Sequence, residues 1–519
     1  MCNLEVEKKI KNKRLLLDEL IERVEDLKQS GKVVVQSHGV FDLIHPGVLK
    51  HLNEAKARGD VLIVTVIKDK DVRKGPERPI FPENLRLENV SSLEQVDYCS
   101  LVDDETPFEC VKRIKPDYFA KGRKYAERDR SIHNKIFEKE RELVFGKSII
   151  CETDGFSFSS SHIINNFLDI YSEETKDFLK SFSKKYSFHN IVKELDSLKG
   201  LNVLLIGDGI IDEYCYCESM GKSPKAQLIV NKYITHEVFA GGAFAIANHV
   251  AGLCDKVQLV TLLGREDSRE DFVSDNLKSN VNVKFFYRDD GPSVIKRRYI
   301  NQYQEQKMFE INYINDKNIS GKIESEVISY LESVVHEYDL ILVSDFGHGF
   351  ITNNLIQKIE EFPKKLAVNA QTNGANAGYN LITKYNKTNF ICLDAPEARL
   401  ATQEKYIEIE YVAKKLLNGI DTDYLTITVG SNGSLCVNRK GEINRTPAFA
   451  TKVIDLMGAG DAYFSLSSLC FALEMPMDLV SFFGNVIGAL SVQIVGNKKS
   501  VEGYEIKEFI HSVMKQEER

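Results

Sequence analysis

The sequence predicts an α/β protein built from two separate strand-and-helix blocks. Short apolar strands alternate with helical stretches from Lys32 to about Phe167, and a second alternating series begins at "LNVLLIGDGIIDEY" and runs to the C-terminus. Alternation of this kind, with β-branched runs in the strands, predicts mostly parallel sheets flanked by helices. A polar segment with helical periodicity separates the two blocks.

Length and composition agree with two domains. A chain of 519 residues is too long for one core, and an apolar fraction of 43% is enough to build two. The boundaries we expect are 1–167 for the first domain, 168–200 for a helical connector and 201–519 for the second domain. We see no internal repeat.

The composition also excludes several classes of protein. A net charge of −8 argues against a nucleic-acid binder, which would carry a concentrated basic face. No apolar run approaches the length of a membrane span, and the N-terminus reads as a charged amphipathic helix without a signal core. The ten cysteines are scattered, which is typical of reduced thiols rather than a disulfide framework or a zinc site. We therefore expect a cytoplasmic protein with no nucleic-acid or membrane partner.

The first block opens with a candidate phosphate site. Its strand "VVVQSHGVFD" should run into a loop, with His45, Pro46 and Gly47 at the mouth of the next helix. Pro46 presets a helical φ, and the free amides at a helix start suit a triphosphate. An imidazole there can donate a hydrogen bond to a phosphate whose charge grows during transfer.

This block resembles the cytidylyltransferase-like nucleotidyltransferases, over roughly residues 32 to 167. The resemblance rests on "GVFDLIHPG", "KGPERPIFPENLRLENVSSLEQVDY", "RIKPDYFAKGRKY" and "FSSSHIINNF". It implies a Rossmann-like domain that takes ATP or CTP with Mg²⁺, and it assigns catalysis to His45. It also implies nucleotide contacts at Gly39, Phe41, Asp42, Ser159, Ser160 and Ser161, and substrate-phosphate contacts at Lys74, Arg78 and Arg86.

Val48 departs from the pattern of that family, which has a second histidine at this position. Losing one donor to a developing phosphate charge costs about 3 to 4 kcal/mol if it resembles an oxyanion-hole deletion. His51 cannot simply substitute, because in a helix it lies about 300° around the axis from position 48. The domain is therefore a slow enzyme, an enzyme with a rearranged site, or a domain that only binds nucleotide. We expect retained activity because the other motifs are present together.

The second block carries the strongest motif of the chain, "DLMGAGDAYFSLSSLC". Gly458, Ala459 and Gly460 allow the backbone to approach a phosphate and open a helix whose first amides point at it. Asp461 then lies where a carboxylate can take a proton from a substrate hydroxyl. The arrangement suits in-line phosphoryl transfer.

From residue 201 to about 513 the chain resembles the ribokinase-like sugar kinases, with a small β lid. The motifs are "GDGIIDEY", "GGAFAIANHVAGL", "LVSDFGHGF", "DAPEARL", "ITVGSNGSL" and "DLMGAGD", in that order. The resemblance makes Asp461 the catalytic base and Gly458, Ala459 and Gly460 the anion hole. It implies sugar contacts at Asp212, Gly241, Gly242 and Asn248, ATP contacts at Thr428, Gly430, Gly433 and Asn485, and Mg²⁺ placement at Asp394 and Glu397, with a monovalent cation as a further candidate.

Two local features modify this expectation. "LAVNAQTNGANAGYNLITKY" occupies the place where such kinases carry Asp-Pro, so Asn369, Ala370 and Gln371 indicate an altered substrate. "QLIVNKYITHEVF" alternates like exposed strands and would form the lid, which in relatives often pairs subunits, so a homodimer is expected.

The combination of domains resembles the bifunctional heptose-7-phosphate kinase/heptose-1-phosphate adenylyltransferases, with the domain order reversed. "IKRRYINQYQEQKMFEI" contributes to this resemblance, and Lys296, Arg297 and Arg298 within it offer cations for a sugar phosphate, with Arg297 taken as a sugar-site residue. The resemblance implies a sugar or sugar phosphate and nucleoside triphosphates as substrates, in a pathway like lipopolysaccharide biosynthesis. Two alternatives remain: a sugar kinase with a degenerate nucleotide-binding first domain, and a nucleotide-sensing scaffold.

Overall fold

A computed structural model describes residues 8, 10–72, 78–103, 108–122, 149–153, 171–303, 306–374 and 376–514. The chain divides into two compact units. The first comprises residues 1–170 and 511–519, and the second comprises residues 171–510. Lys74, Ser159, Ser160 and Ser161 lie outside the described residues.

The first unit is a parallel sheet with helices. Its elements are α1 (Leu17–Gln29), β1 (Val34–Gly39), α2 (Pro46–Lys56), β2 (Val61–Ile67), α3 (Glu83–Ser91), β3 (Tyr98–Val102), α4 (Phe108–Ile114), β4 (Tyr118–Gly122) and β5 (Ile149–Thr153). The strand order is β3-β2-β1-β4-β5, and all four pairings are parallel. The order reverses between β1 and β4, and ligands of such sheets bind outside the carboxyl ends of the strands at that point.

The second unit contains a larger sheet of nine strands. Its first elements are α5 (Glu173–Lys185), α6 (Phe188–Ser197), β6 (Asn202–Gly207), β7 (Gly209–Lys222), β8 (Ile229–Gly242), α7 (Ala243–Ala251), β9 (Lys256–Glu266), α8 (Glu270–Asn276), β10 (Val281–Pro292), β11 (Ile295–Asn301) and β12 (Gln306–Tyr313). The helices and strands that follow are α9 (Gly321–Val334), β13 (Leu340–Asp345), α10 (Asn353–Glu361), β14 (Lys365–Ala370), β15 (Phe390–Asp394), α11 (Ala395–Thr402), α12 (Ile409–Gly419), β16 (Tyr424–Thr428), β17 (Ser434–Asn438), β18 (Ile443–Thr446), α13 (Ala459–Ala472), α14 (Met477–Ser491) and α15 (Gly503–Met514). The boundary at residue 510 falls inside α15.

The large sheet is buried and mostly parallel. Its order is β10-β9-β6-β13-β14-β15-β16-β17-β18, with β17 and β18 antiparallel at one edge. Strand β13 is buried along its whole length, as expected for a strand covered by helices on both faces. Because β6, β13, β14, β15 and β16 run in one direction, their carboxyl ends place Asp208, Asp345, Gln371 and Asp394 along one edge.

A second, four-stranded sheet has the order β12-β11-β7-β8 and is called the lid sheet below. Its strands alternate two sets of side chains across the pleat. Apolar side chains are exposed on its strands, namely Ile229, Val230, Tyr233, Ile234, Phe309, Ile311 and Tyr313. The first half of β8 is exposed as expected, but exposure does not alternate along it, because consecutive residues on both faces are exposed.

Helices α5 and α6 occupy most of the expected connector and pack on the second unit. Phe182 stacks on Phe482 with ring centroids 4.2 Å apart, and the Tyr186 hydroxyl donates to Asp478 Oδ1 across 2.9 Å. Ser172 and Ser187 cap the two helices. The apolar face of each helix is therefore buried, and this part of the connector is packed helix and not a flexible linker.

Two further findings bear on the expectations from composition. The eight cysteines that the structure describes are buried, and none of them is in a disulfide. Within the described ranges, no helix has both the length and the apolar character that a membrane span requires.

Candidate active site

The second unit places the motif predicted to be catalytic at the start of helix α13. Gly458 adopts φ 82°, and a Cβ there would lie 2.2 Å from Asn497 Oδ1, so only glycine fits this position. Ala459 and Gly460 begin the helix, and Asp461 follows in its first turn. The Ala459 amide donates to the Leu456 carbonyl at 3.4 Å, and the first-turn amides of α13 lie at the same helix mouth as the Asp461 carboxylate.

Asp461 is buried and held by an amide. Gln371 Nε2 donates to Asp461 Oδ1 across 2.6 Å and also to Asn369 Oδ1 across 2.8 Å, and Asn369 Nδ2 donates to the Cys392 carbonyl. Burial raises the pKa of Asp461 to about 6, the Gln371 hydrogen bond opposes that rise, and Asp212 and Lys296 act on it with opposite signs. A carboxyl with a pKa near neutrality is suited to general-base catalysis.

The segment 369–373 also reaches the expected metal position. The Thr372 amide donates to Glu397 Oε1 across 3.0 Å. Asp394 and Glu397 form a capping box at α11, in which each carboxylate accepts the other residue's amide, at 2.7 Å and 2.9 Å. The segment that replaces the expected Asp-Pro therefore joins the base to the acidic pair.

The acidic pair can assist a cation but does not enclose one. Burial and then Asp394 raise the pKa of Glu397 to about 8, so its carboxylate lacks a compensating positive charge. In the part of the chain that the structure describes, no cluster of three or more potential metal ligands is present. A pair of carboxylates is the kind of protein contribution with which Mg²⁺ is commonly held, together with water and substrate phosphates.

The expected sugar residues of the lid sheet lie close to Asp461. A Cβ on Gly241 would lie 2.0 Å from Asp212 Oδ2, so this glycine allows the carboxylate its position. Asp212 is paired with Arg298, which also binds Glu310 at 2.7 Å. Gly242 has φ 55°, and a Cβ there would meet the Asp208 carbonyl at 2.7 Å.

The lysine next to Arg297 acts electrostatically on Asp461. Lys296 is 7% exposed, pairs in register with Asp212, and burial lowers its pKa. Arg297 lies on the opposite face of its strand, where Nε binds Glu213 at 2.5 Å and Nη1 donates to the Tyr313 hydroxyl. The expectation for Arg297 at the sugar site is therefore corrected, because strand alternation gives that place to Lys296 and Arg298.

Asn248 also differs from its expected role. Its Oδ1 accepts from the Lys278 amide at 2.9 Å and its Nδ2 donates to the Asn276 carbonyl at 2.8 Å. The amide group thus fixes the turn after helix α8 in this structure.

The expected ATP residues surround the end of β16. Thr428 pairs in register with Asp394. Gly430 and Gly433 have φ 57° and 82°, and a Cβ on Gly433 would lie 2.0 Å from the Thr446 carbonyl. Asn485 Nδ2 donates to Ser434 Oγ at 2.7 Å, so its amide orients the start of β17.

Sequence reasoning missed a contact set around Asp455. Its Oδ1 binds Lys307 Nζ at 2.7 Å and the Met457 amide at 3.1 Å, and its Oδ2 accepts from the Tyr214 hydroxyl at 2.8 Å and the Gly496 amide at 2.9 Å. Tyr214 and Lys307 belong to the lid sheet, so the lid is joined to the loop that precedes the anion hole. A carboxylate six residues before Asp461 was the available signal.

In the first unit Gly39, Phe41 and Asp42 lie at the carboxyl end of β1 and in the loop that follows it. Gly39 ends the strand and Phe41 has φ 50°. Asp42 is buried and accepts the Ile80 and Phe81 amides at 2.8 Å and 2.9 Å, so it fixes the segment that follows Arg78. The Asp42 carboxylate thus holds the loop after β1 to the segment at Ile80 and Phe81.

His45 is the N-cap of helix α2. Its Nδ1 accepts from the Gly47 amide at 3.1 Å, and partial burial lowers its pKa. A neutral imidazole with Nδ1 occupied carries its proton on Nε2, which is a hydrogen-bond donor. Val48 packs against an apolar cluster, and His51 Nε2 pairs with Ser37 Oγ at 2.8 Å.

Arg86 is not available to a substrate phosphate in this structure. It is fully buried, and it donates to the Phe81, Val40 and Ile67 carbonyls and to Asp69 Oδ1. The expected role in phosphate binding is corrected to that of joining three loops, because a buried guanidinium requires acceptors for its donors.

Comparison with known families assigns the second unit. The sequence pattern of pfkB family carbohydrate kinases matches residues 201–502, which is more than half of the chain. This chain belongs to the pfkB family carbohydrate kinases. The cytidylyltransferase-like pattern matches residues 37–166, so the predicted fold class is confirmed in both units. Kinases and nucleotidyltransferases of these families generally use nucleoside triphosphates and Mg²⁺.

Individual relatives of this pfkB family chain include bifunctional proteins. The bifunctional protein HldE of Histophilus somni is 24% identical over 312 residues, which cover 60% of this chain and 63% of that protein. The HldE protein of Nitratiruptor is 45% identical over 102 residues, 19% of this chain and 22% of that protein. The chain spans less than two thirds of the length of these relatives.

Two solved structures of sugar kinases each align with about 60% of this chain. A ribokinase from Thermotoga maritima has a TM-score of 0.47 and 18% identity, covering 60% of this chain and 99% of that one. Phosphofructokinase-2 from Escherichia coli in complex with fructose-6-phosphate has a TM-score of 0.48 and 11% identity, covering 60% of this chain and 98% of that one.

Proposed function

We propose that the second unit phosphorylates a hydroxyl of a sugar or sugar phosphate, with Asp461 as the general base. The observation that carries this proposal is the buried Asp461 at the mouth of α13, oriented by Gln371 at 2.6 Å, with a pKa of about 6. At neutral pH such a carboxylate is mostly ionised and can accept the proton of the attacking hydroxyl.

The groups around Asp461 have separate roles in the proposed phosphoryl transfer. We assign the segment 458–460 to the transferred phosphoryl group, whose charge its amides would stabilise. Asp212 lies on the acceptor side of Asp461, and Lys296 supplies a buried positive charge there. Mg²⁺ placed by Asp394 and Glu397 would neutralise charge on the nucleotide phosphates.

For the first unit we propose nucleotidyl transfer to a sugar phosphate, from ATP or CTP. His45 at the mouth of α2, with a donor on Nε2, and the loop built by Gly39, Phe41 and Asp42 support this assignment. Together the two reactions would make a nucleotide-activated sugar, as in an ADP-heptose-like pathway of lipopolysaccharide biosynthesis. Val48 favours a second candidate, a kinase whose first unit only binds nucleotide.

The proposal extends to the domain boundaries, the cellular location and the oligomeric state. We place the domains at 1–167 and 201–519 with a helical connector at 168–200, in a cytoplasmic protein. The exposed apolar side chains of the lid sheet support a homodimer formed through that sheet. A monovalent cation is retained as a candidate cofactor of the kinase.

The test is an incubation of the full chain with ATP or CTP, Mg²⁺ and a panel of sugars and their monophosphates. ADP and pyrophosphate are measured separately. The proposal expects ADP from one acceptor and pyrophosphate from a sugar phosphate. ADP without pyrophosphate would support the second candidate, and neither product from any acceptor would overturn the enzymatic assignment.

A further inference from the structure

A cavity of about 480 Å³ in the second unit is lined by none of the residues assigned above to phosphoryl transfer. It lies between the end of strand β8, one face of helix α7 and the loop from Asn497 to Ser500, with Lys278 at its side. The cavity therefore adjoins the acceptor side of the kinase site without containing Asp461.

Three ammonium groups line this cavity, and each is paired with a glutamate. Lys278, Lys498 and Lys499 line it, against a single acidic lining residue, Glu237. Lys498 pairs with Glu237 at 2.6 Å, Lys499 with Glu505 at 2.9 Å, and Lys278 with Glu502. A lysine ammonium has three donors, so the one carboxylate partner of Lys278 or of Lys498 does not exhaust it.

A buried histidine adds a directional donor. His249 lines the cavity, is 3% exposed, and accepts the Val501 amide on Nδ1 at 3.2 Å. Burial and Lys278 lower the pKa of His249 to about 4, so the ring is neutral and its proton is on Nε2. The ring lines the cavity, and the Val501 amide occupies Nδ1, so Nε2 is the ring atom left to donate to a ligand there.

Asn497 connects the cavity to the catalytic motif. Its Nδ2 lies 3.4 Å from where a Cβ of Gly241 would be, and its Oδ1 lies 2.2 Å from that of Gly458. A ligand that presses on this wall therefore acts next to both the sugar loop and the anion hole.

We propose that this cavity is a binding site for a phosphate or phosphomonoester anion. Several ammonium groups and a neutral N–H donor around one space match an anion with several acceptor oxygens. The anion comes either from the acceptor sugar's own phosphate or from a separate phosphorylated effector. The first source rests on the proposed kinase function, and the second does not.

The binding test uses the full chain and inorganic phosphate, compared with chloride at equal ionic strength, by thermal shift and calorimetry. A bound anion raises the Tm, because it stabilises the folded state alone. The double variant Lys278→Met, Lys498→Met should weaken phosphate binding at least tenfold. Matched controls are Lys256→Met and Lys365→Met, which remove lysines paired with Glu337 and Glu474 elsewhere on the unit.

His249→Asn is a second, independent variant. Asparagine can keep an acceptor for the Val501 amide while it removes the Nε2 donor. It should also weaken phosphate binding, without changing the response of the controls. The proposal is overturned if phosphate gives no more stabilisation than chloride, or if the double lysine variant binds phosphate as tightly as the wild-type protein.

Acceptor kinetics separate the two sources. If the acceptor's phosphate occupies the cavity, the double variant raises KM for the sugar monophosphate and leaves KM for the free sugar unchanged. If the anion is an effector, phosphate binding is lost and both KM values are unchanged. Failure of the proposed kinase would appear as absent ADP release, which leaves the phosphate-binding result readable.

Discussion

Gln371 Nε2 lies 2.6 Å from Asp461 Oδ1 and holds the carboxylate that we assign as the kinase base. The contact comes from a segment whose sequence departs from the expected Asp-Pro. The departure therefore places an amide on the base, and the neighbouring Thr372 amide binds Glu397.

Replacing Gln371 should change the pH dependence of phosphorylation. The hydrogen bond favours the ionised form of Asp461, so Gln371→Leu should raise the pKa of Asp461 above its value of about 6. Activity requires the ionised base and falls as pH falls through that pKa, so the acidic limb of kcat should move to higher pH by about 1 unit. Asn354→Ala, an exposed amide paired with Glu324, is the control. An unmoved limb would show that the contact does not act on the base.

Glu397→Gln should raise the Mg²⁺ concentration needed for half-maximal ADP release. The wild-type carboxyl, with a pKa of about 8, binds a cation only after losing its proton, so the Mg²⁺ requirement should fall as pH rises from 7 to 9. The variant should lose that pH dependence. A Mg²⁺ titration identical to wild type would remove Glu397 from the metal site.

Tyr214→Phe should weaken the connection between the lid sheet and the anion-hole loop. The substitution removes the hydroxyl that donates a hydrogen bond to Asp455 Oδ2 at 2.8 Å, and it keeps the aromatic ring. A hydrogen bond to a charged group contributes about 1.5 kcal/mol, so kcat/KM for the acceptor should fall roughly tenfold. Tyr303→Phe, an exposed lid tyrosine at 78%, is the matched control. Equal kinetics in the two variants would mean that the lid contact has no catalytic consequence.

Which parts of the fold and of the candidate site can be predicted from the sequence depends on whether their contacts are local or long-range. The strand and helix pattern, the anion-hole glycines and the position of Asp461 follow from local sequence, because a helix mouth is made by consecutive residues. The Asp455 contacts with Tyr214 and Lys307 join positions far apart in the chain, and only the folded sheet brings them together. Likewise, nothing in the sequence of Arg86 distinguishes a buried loop connector from a phosphate ligand.

Position 48 tests the first unit. Val48→His restores a donor at the mouth of α2, and we expect pyrophosphate release to rise by up to a hundred- to a thousandfold. A site rewired around Val48, which packs on an apolar cluster, would instead lose rate, and His45→Ala should abolish it. No pyrophosphate from either variant or from wild type, with no nucleotide binding to residues 32–167 by calorimetry, would contradict retained transferase activity.

The most direct test of the central claim is Asp461→Asn in the full chain, with ADP release and ATP binding measured on the same preparation. The account predicts that turnover is lost while ATP affinity stays within a few-fold, because the carboxylate acts on the acceptor hydroxyl and a general base contributes roughly 10²- to 10⁴-fold. A variant that keeps more than about a tenth of wild-type turnover would show that Asp461 is not the base.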